Sequence, residues 1–260
     1  MIGLKVDNIT LTFKGIAALM DVSFSVEKGS IVSLIGPNGA GKTSMLNCIS
    51  GRYKPDSGSI TLNDQELLSM PAHKCTKLGL SRTFQNIALF RGLSVLDNFM
   101  VGRHHRMNYG IFSSLLYWGK ARRLEDEHRF QVEKVIDFLN LSAYRHKPAG
   151  RLPYGVQKRV ELGRALAAEP EFILLDEPMA GMNMEETEDM ARYILDINEE
   201  WGVTVLLVEH DMGVVMDISD RVVVLDFGSV LAIGSPQEVA ENPEVIRAYL
   251  GNEDAQFTGR

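Results

Sequence analysis

The sequence predicts an α/β fold built around a phosphate-binding loop, on three observations. The first is GPNGAGKT, residues 36–43, which follows a five-residue apolar run (IVSLI, residues 31–35) and precedes a helical pattern at residues 44–50. A strand, a glycine-rich turn carrying Lys and Thr, then a helix is the arrangement that cradles a nucleotide's phosphates. The second is a continuous apolar run at residues 172–175 and a second run at 203–208, apolar but for Thr204, both of the kind made by strands buried on both faces. The third is how those runs end, one at Asp176-Glu177-Pro178 and the other at Glu209-His210-Asp211. Ligand-binding groups of open α/β sheets gather at such strand ends.

Composition sets the bounds. The chain has 260 residues, 45% hydrophobic and 23% charged, with a formal net charge of −7. That is ordinary globular material with enough apolar content for a core. An acidic total gives nucleic acid little to grip, so no nucleic-acid partner is expected. Cys48 and Cys75 are the only cysteines, without CxxC spacing, which suits a reducing compartment rather than a disulfide scaffold. No apolar N-terminal signal and no run long enough to span a bilayer is present in the sequence.

In chain order, residues 4–13 and then Val22, Phe24 and Val26 alternate as half-exposed strands do. Spacing alone reads Phe13 as core. In the loop, Gly36, Gly39 and Gly41 let the backbone curl so that N–H groups face an anion, with Pro37, Asn38 and Ala40 between them. Lys42 would reach the β- and γ-phosphates and the Thr43 hydroxyl would hold Mg²⁺, with Ser44 beside it opening the helix. Met45, Leu46 and Ile49 share a helical face that Gly51 ends.

A short strand at 59–62 is followed by RTFQN, residues 82–86, which leaves Gln85 just past a strand, within reach of a metal or water or simply on the surface. Residues 87–151 read as mostly helical. Ser94 or Asp97 caps one helix, and Val132, Val135, Ile136 and Leu139 follow the amphipathic rule. Between them residues 103–123 mix basic and aromatic side chains. That stretch faces a membrane partner or lipid headgroups, or it buries Phe112, Leu116 and Trp118 in a helical subdomain with its basic residues solvated. Four histidines, His104, His105, His128 and His146, have no ligand-like grouping.

Pro153 fits the first position of a helix running to Glu169. After it, Asp176 is positioned to orient Mg²⁺ and its waters, and Glu177 to take a proton from an attacking water. A helix over 185–200 ends at Gly202, and residues 222–225 and 230–233 flank Phe227-Gly228 as a hairpin. The tail from Pro236 reads as short helices.

Together these segments resemble the ATP-binding subunit of an ABC transporter over essentially the whole chain. GPNGAGKT, RTFQN, LPYGVQKRVELGRALA (residues 152–167), FILLDEP, AGMN and VEHDM stand in that family's order and spacing. The resemblance implies a phosphate-loop (RecA-like) core of residues 1–86 and 166–260 with an antiparallel β subdomain, and an inserted α-helical subdomain, residues 87–165. It implies ATP and Mg²⁺ as cofactors, Phe13 stacking on adenine, Gln85 linking the Mg²⁺ site to membrane subunits, Glu177 as general base and His210 contacting the γ-phosphate. Leu152, Tyr154 and Gly155 would face the ATP of a second ATPase subunit, in a homo- or heterodimer, with residues 181–183 crossing the interface.

SRTFQNIALF, VGRH and DEPMAGMN are similar to subunits of branched-chain or hydrophobic amino-acid importers. Such importers imply permeases, an external solute-binding protein and a place on the cytoplasmic face of the membrane. An exporter ATPase and a soluble non-transport ABC protein are the alternatives. Two departures stand out. Pro153 replaces the usual signature Ser, whose charge-assisted bond is worth roughly 1.5–3 kcal/mol, and Asn183 stands where many members have Asp.

Overall fold

The run IVSLI forms β3 (Ile31–Ile35), buried along its whole length. Two other predicted buried strands form beside it, β7 (Phe172–Asp176) and β8 (Thr204–Val208), each with every residue buried. The computed structural model describes residues 1–106 and 120–257, and among these the strands form two sheets. The larger has the order β10-β9-β3-β8-β7-β6, where β6 is Leu80–Arg82, β9 is Arg221–Asp226 and β10 is Ser229–Gly234. From β6 to β9 the pairs are parallel, and β10 folds back antiparallel on β9 through the predicted hairpin.

The smaller sheet, β2-β1-β4-β5, is antiparallel. Its long member β1 (Ile2–Phe13) extends the first N-terminal pattern by two residues at its start, and β2 (Ile16–Glu27) extends the second in both directions. β4 is Ser57–Leu62 and β5 is Gln65–Glu66.

The period of two along the central strands divides the apolar side chains between the faces of the large sheet. Phe172, Leu174, Leu206, Val208, Val32 and Leu34 join Leu4, Ile9, Val22 and Ile60 of the small sheet in one cluster. Ile173, Leu175, Val205 and Leu207 join a second, helical cluster. That cluster is continuous into the residues read as amphipathic, Val132, Val135, Ile136 and Leu139 on α4 (Lys120–Phe138) and the turn after it.

Ser94 is the N-cap of α3 (Val95–Gly102), its side chain accepting from the Asp97 N–H. The helix α5 (Tyr154–Leu166) begins one residue later than predicted, and Pro153 is its N-cap instead of its first residue. It also ends three residues short of Glu169. Arg103 and Arg106, from the basic stretch, donate to the Ala167, Ala168 and Glu169 carbonyls past its end and pair with the Glu169 carboxylate. Cations at a helix C-terminus also oppose its negative dipole end. His128 accepts from Arg103 Nε at 2.9 Å. Phe112, Leu116 and Trp118 lie outside the described residues.

α6 (Met184–Trp201) opens with a capping box between Asn183 and Glu186 and closes at Gly202, whose φ of 67° is left-handed. The tail holds α8 (Pro236–Ala240), preceded by the short α7 (Met212–Ile218), and then α9 (Pro243–Phe257), a fifteen-residue helix where short ones are predicted. Val239 and Val245 of this tail close a third cluster with Ile35, Val222 and Val224.

Close packing of α5 on α3 is testable at Gly163. A Cβ there would lie 2.1 Å from Phe99 Cζ and 2.8 Å from a Leu139 methyl. Gly163→Ala is expected to cost about 1–3 kcal/mol by overpacking, lowering the urea midpoint at unchanged slope. An unmoved midpoint would show that Phe99 swings away freely.

Candidate active site

The loop after β3 is held in one shape by its glycines. Gly36 has φ 149°, and a Cβ on it would lie 2.1 Å from the Leu225 carbonyl oxygen; Gly41 has φ 102°, with a Cβ 2.7 Å from the Ala18 carbonyl oxygen. Backbone passes too near for any side chain at either point. Behind the loop, Gly228 of the hairpin turn donates its N–H to the Ala40 carbonyl at 3.1 Å. Tyr249 on α9 packs against the cluster that holds Ile35, the residue just before the loop. Burial pushes its phenol up to about 12, with the Gly36 backbone pulling the other way.

Pro37 is half-buried, and Asn38 and Gly39 are exposed. The loop runs into α1 (Lys42–Ile49), whose N-terminal N–H groups and dipole favour an anion. Lys42 is buried, and its Nζ donates to the Gly36 and Pro37 carbonyls at 2.6 and 2.9 Å. Burial draws its ammonium below the usual lysine range, opposed by Glu177 and Asp176. Thr43 beside it is exposed and Ser44 half-buried.

β7 ends at Asp176, whose carboxylate is buried. Its Oδ2 accepts from Arg82 Nη2 at 2.9 Å. The same guanidinium donates through Nη1 to Asn47 Oδ1 and Ser50 Oγ, so Arg82 ties β7 to α1. Asp176 Oδ1 has no hydrogen-bond partner although it is fully buried. An orphaned carboxylate oxygen fits a hard cation that takes oxygen ligands and keeps several waters. No cluster of three or more His, Cys, Asp or Glu side chains occurs among the described residues. Mg²⁺ requires none, since it binds through one or two protein oxygens plus phosphates. Asp176, Thr43 and Gln85 are the residues that would hold it.

The next residue, Glu177, has φ 49°, a left-handed conformation uncommon for a long side chain. Its Oε1 lies 2.7 Å from His210 Nε2, and its Oε2 accepts from Gln85 Nε2 at 2.9 Å. Three predicted residues, 33 and 92 positions apart along the chain from Glu177, thus meet at one carboxylate. His210 is half exposed at the end of β8.

Glu209, to which the sequence reading gave no part, is buried. It accepts the Met179 N–H through Oε1 at 2.8 Å and the His210 N–H through Oε2 at 3.1 Å. Burial pushes its carboxyl above the usual range, with those two N–H donors pulling back. It braces the segment after Glu177 against the one carrying His210.

The remaining predicted residues lie apart from this cluster. Phe13 is exposed, edge-on to Tyr53 at 5.2 Å between ring centroids, so it is not part of the core that spacing alone suggests. Leu152 has its side chain buried in the helical cluster. Tyr154 is exposed and donates its hydroxyl to the Ala180 carbonyl at 3.1 Å. A Cβ on Gly155 would lie 2.2 Å from Glu186 Oε1, so the start of α5 packs tightly on the cap of α6.

Comparisons with known proteins identify the family. Residues 19–180 match the family model described as ABC transporter. The chain belongs to the ABC transporter family. Residues 229–255 match a second model, branched-chain amino acid ATP-binding cassette transporter. Over 248 residues the chain is 41% identical to the high-affinity branched-chain amino acid transport ATP-binding protein BraF of Pseudomonas aeruginosa, covering 95% of this chain and 97% of that one. The protein of the same description, LivG, from Escherichia coli K12 is 41% identical over the same share.

Among solved structures, the ADP conformation of MJ1267, an ATP-binding cassette of an ABC transporter, superposes with a TM-score of 0.84 at 32% identity, covering 96% of this chain and 99% of that one. The dimeric, post-hydrolysis cassette MJ0796 bound to ADP and Pi reaches 0.77 at 26% identity, covering 90% and 98%. The chain is therefore an ABC-type ATPase subunit with a phosphate-loop core and an antiparallel β-sheet. ABC ATPases bind ATP.

Arg82 gives this site its sharpest stability test. Removing one partner of a buried pair leaves a charge stranded, at about 3–5 kcal/mol. Arg82→Met is expected to lose that much in chemical denaturation. Arg82→Met with Asp176→Asn should recover most of it. Equal losses in both variants would mean that the contacts of Arg82 to Asn47 and Ser50 dominate.

Proposed function

We propose that this ABC ATPase subunit powers the import of branched-chain or related hydrophobic amino acids. In this reading it sits peripherally on the cytoplasmic face of the cell membrane, beneath integral permease subunits fed by an external solute-binding protein. One observation carries the reading: near-full-length identity of 41% to BraF and LivG, both named as branched-chain amino acid transport ATP-binding proteins. The second family match at residues 229–255 supports it. None of the helices of the described residues is long and apolar enough to cross a membrane, so translocation falls to other subunits. In the same proposal, residues 87–165 are the helical subdomain, and 1–86 with 166–260 the nucleotide-binding core.

The chemistry follows from the residues in hand. Lys42 exchanges its two loop carbonyls for β- and γ-phosphate oxygens, which are stronger acceptors for an ammonium. Phe13, edge-on to Tyr53, offers an open face to the adenine. Thr43, Gln85 and Asp176 would hold Mg²⁺, which would supply neutralisation of the negative charge on the phosphates. Glu177 accepts a proton from the attacking water as the water oxygen bonds to the γ-phosphorus and the bond to ADP breaks. Each of its oxygens is met by one of Gln85 and His210, which leaves a further lone pair on each for the water.

His210, released from Glu177, turns its Nε2 towards the γ-phosphate. Leu152, Tyr154 and Gly155 complete the site of a second cassette. Pro153 there has neither hydroxyl nor N–H to donate, so the γ-phosphate is gripped by fewer donors at that point.

Glu177→Gln removes the base while keeping the size of the side chain. ATP turnover is expected to fall about 10²–10⁴-fold, the usual worth of general base catalysis, while ATP binding persists and an ATP-dependent dimer accumulates. Undiminished turnover would sink the assignment of the base. Pull-down of the tagged variant from solubilised host membranes with ATP and Mg²⁺ should recover two multi-span proteins. Recovery of soluble partners alone would transfer the chain to the non-transport ABC proteins.

A further inference from the structure

The helix that faces a partner's nucleotide in this proposal also reaches the catalytic strand end of its own chain. Lys158 on α5 is only 3% exposed, yet its Nζ meets two main-chain carbonyls, Gln85 at 3.3 Å and Glu177 at 3.1 Å. Three residues further along the helix, Glu161 is buried and its Oε1 accepts the Ala88 N–H at 3.2 Å. Three further still, Arg164 donates to the Ala88 carbonyl. The spacing 158, 161, 164 keeps all three close to one side of α5. Together they hold the segment from Gln85 to Ala88 at both ends.

Burying a lysine and a glutamate is costly, and burial indeed draws the Lys158 ammonium down and pushes the Glu161 carboxyl up, each offset partly by the other's charge. Hydrophobic side chains would fill the same space at lower cost. The charged pair therefore needs a use other than stability.

Glu177 supplies that use. Its left-handed backbone persists only where neighbours over-determine it. Its N–H donates to the Val208 carbonyl at 2.9 Å, a contact from the sheet. Its carbonyl accepts from Lys158, a contact from α5. The sheet and α5 each hold one side of this residue.

We infer that Lys158 is a positioning residue for ATP hydrolysis, fixing the main chains of Gln85 and Glu177 to the signature-motif helix of the same subunit. The side chains of the base and of the glutamine it binds then keep their aim only while α5 is seated against the sheet. The inference rests on the assignment of Glu177 as the base. Lys158 makes no contact with the phosphate loop among its hydrogen bonds, so its effect falls on turnover and not on nucleotide affinity.

The test uses the full-length chain with Lys158→Met, Lys158→Arg, and Lys158→Met combined with Glu161→Gln, which leaves no lone buried carboxylate. Amide hydrogen exchange, affinity for a fluorescent ATP analogue, and ATP turnover are measured on each. Both methionine variants are expected to keep the affinity within about twofold and to exchange faster at residues 85–88 and 177–180 alone, by about tenfold or more. Turnover should fall about 10–100-fold, as misplacement of a catalytic group does. Lys158→Arg, which can still donate to both carbonyls, should recover part of each loss.

Wild-type exchange and turnover in the folded double variant would overturn the inference. So would exchange raised evenly over the whole chain, the mark of a merely structural role. Exchange needs no hydrolysis, so it judges the clamp even if Glu177→Gln stays active and the base is reassigned.

Discussion

The site depends on two parallel strands ending level with one another. β7 and β8 pair with Asp176 opposite Val208, and the ladder continues one step further as Glu177 donates its N–H to the Val208 carbonyl. That register sets the acidic pair of one strand beside Glu209 and His210 of the other. β3 is the other neighbour of β8, so the phosphate loop emerges at the same edge. A shift of one residue in either strand would send Ile173 and Leu175, or Val205 and Leu207, to the wrong face of the sheet. The division of apolar side chains between the two clusters forbids such a slip. Packing far from the nucleotide site therefore dictates the 2.7 Å approach of His210 to Glu177.

Around this edge the interior is unusually charged. Arg82 with Asp176, Glu209 and the Lys158–Glu161 pair are all buried, and each is met by hydrogen bonds from the main chain or from a partner. Such groups weaken a fold unless satisfied and add little to it when they are. Their common feature is position: each links two segments that carry a residue of the proposed mechanism. Polar satisfaction here takes the place that shape complementarity holds in the apolar clusters, and among the described residues the one fully buried carboxylate oxygen left without a partner, Asp176 Oδ1, is where a cation fits.

Much of this was legible in the residues. Continuous apolar runs identified β3, β7 and β8 because strands covered on both faces tolerate few polar residues. The phosphate loop declared itself through glycines whose missing Cβ atoms the structure requires. Contacts between distant residues were not legible: nothing in spacing says that Gln85 and His210 share the Glu177 carboxylate. Arg82, Glu209 and Lys158 escaped notice because an isolated sequence gives charged residues no reason to be internal. Pro153 was misread by one position, since a proline suits both the cap and the first turn of a helix. The sequence reads short helices where α9 is long because, among its described side chains, Val245 and Tyr249 alone pack on the third cluster.

The packing of Tyr249 against the cluster of Ile35 joins a residue made late to one made early. Chains emerge from the ribosome N-terminus first, at some 5–20 residues per second. β3 and its loop are therefore in the open long before α9 exists to back them. The third cluster, which includes Ile35 at the loop's edge, is likewise incomplete until Val239 and Val245 have been added. A nascent chain consequently carries a loop with the right glycines and no firm floor. The floor beneath the loop is laid only after residues 239–249 have followed it out of the ribosome.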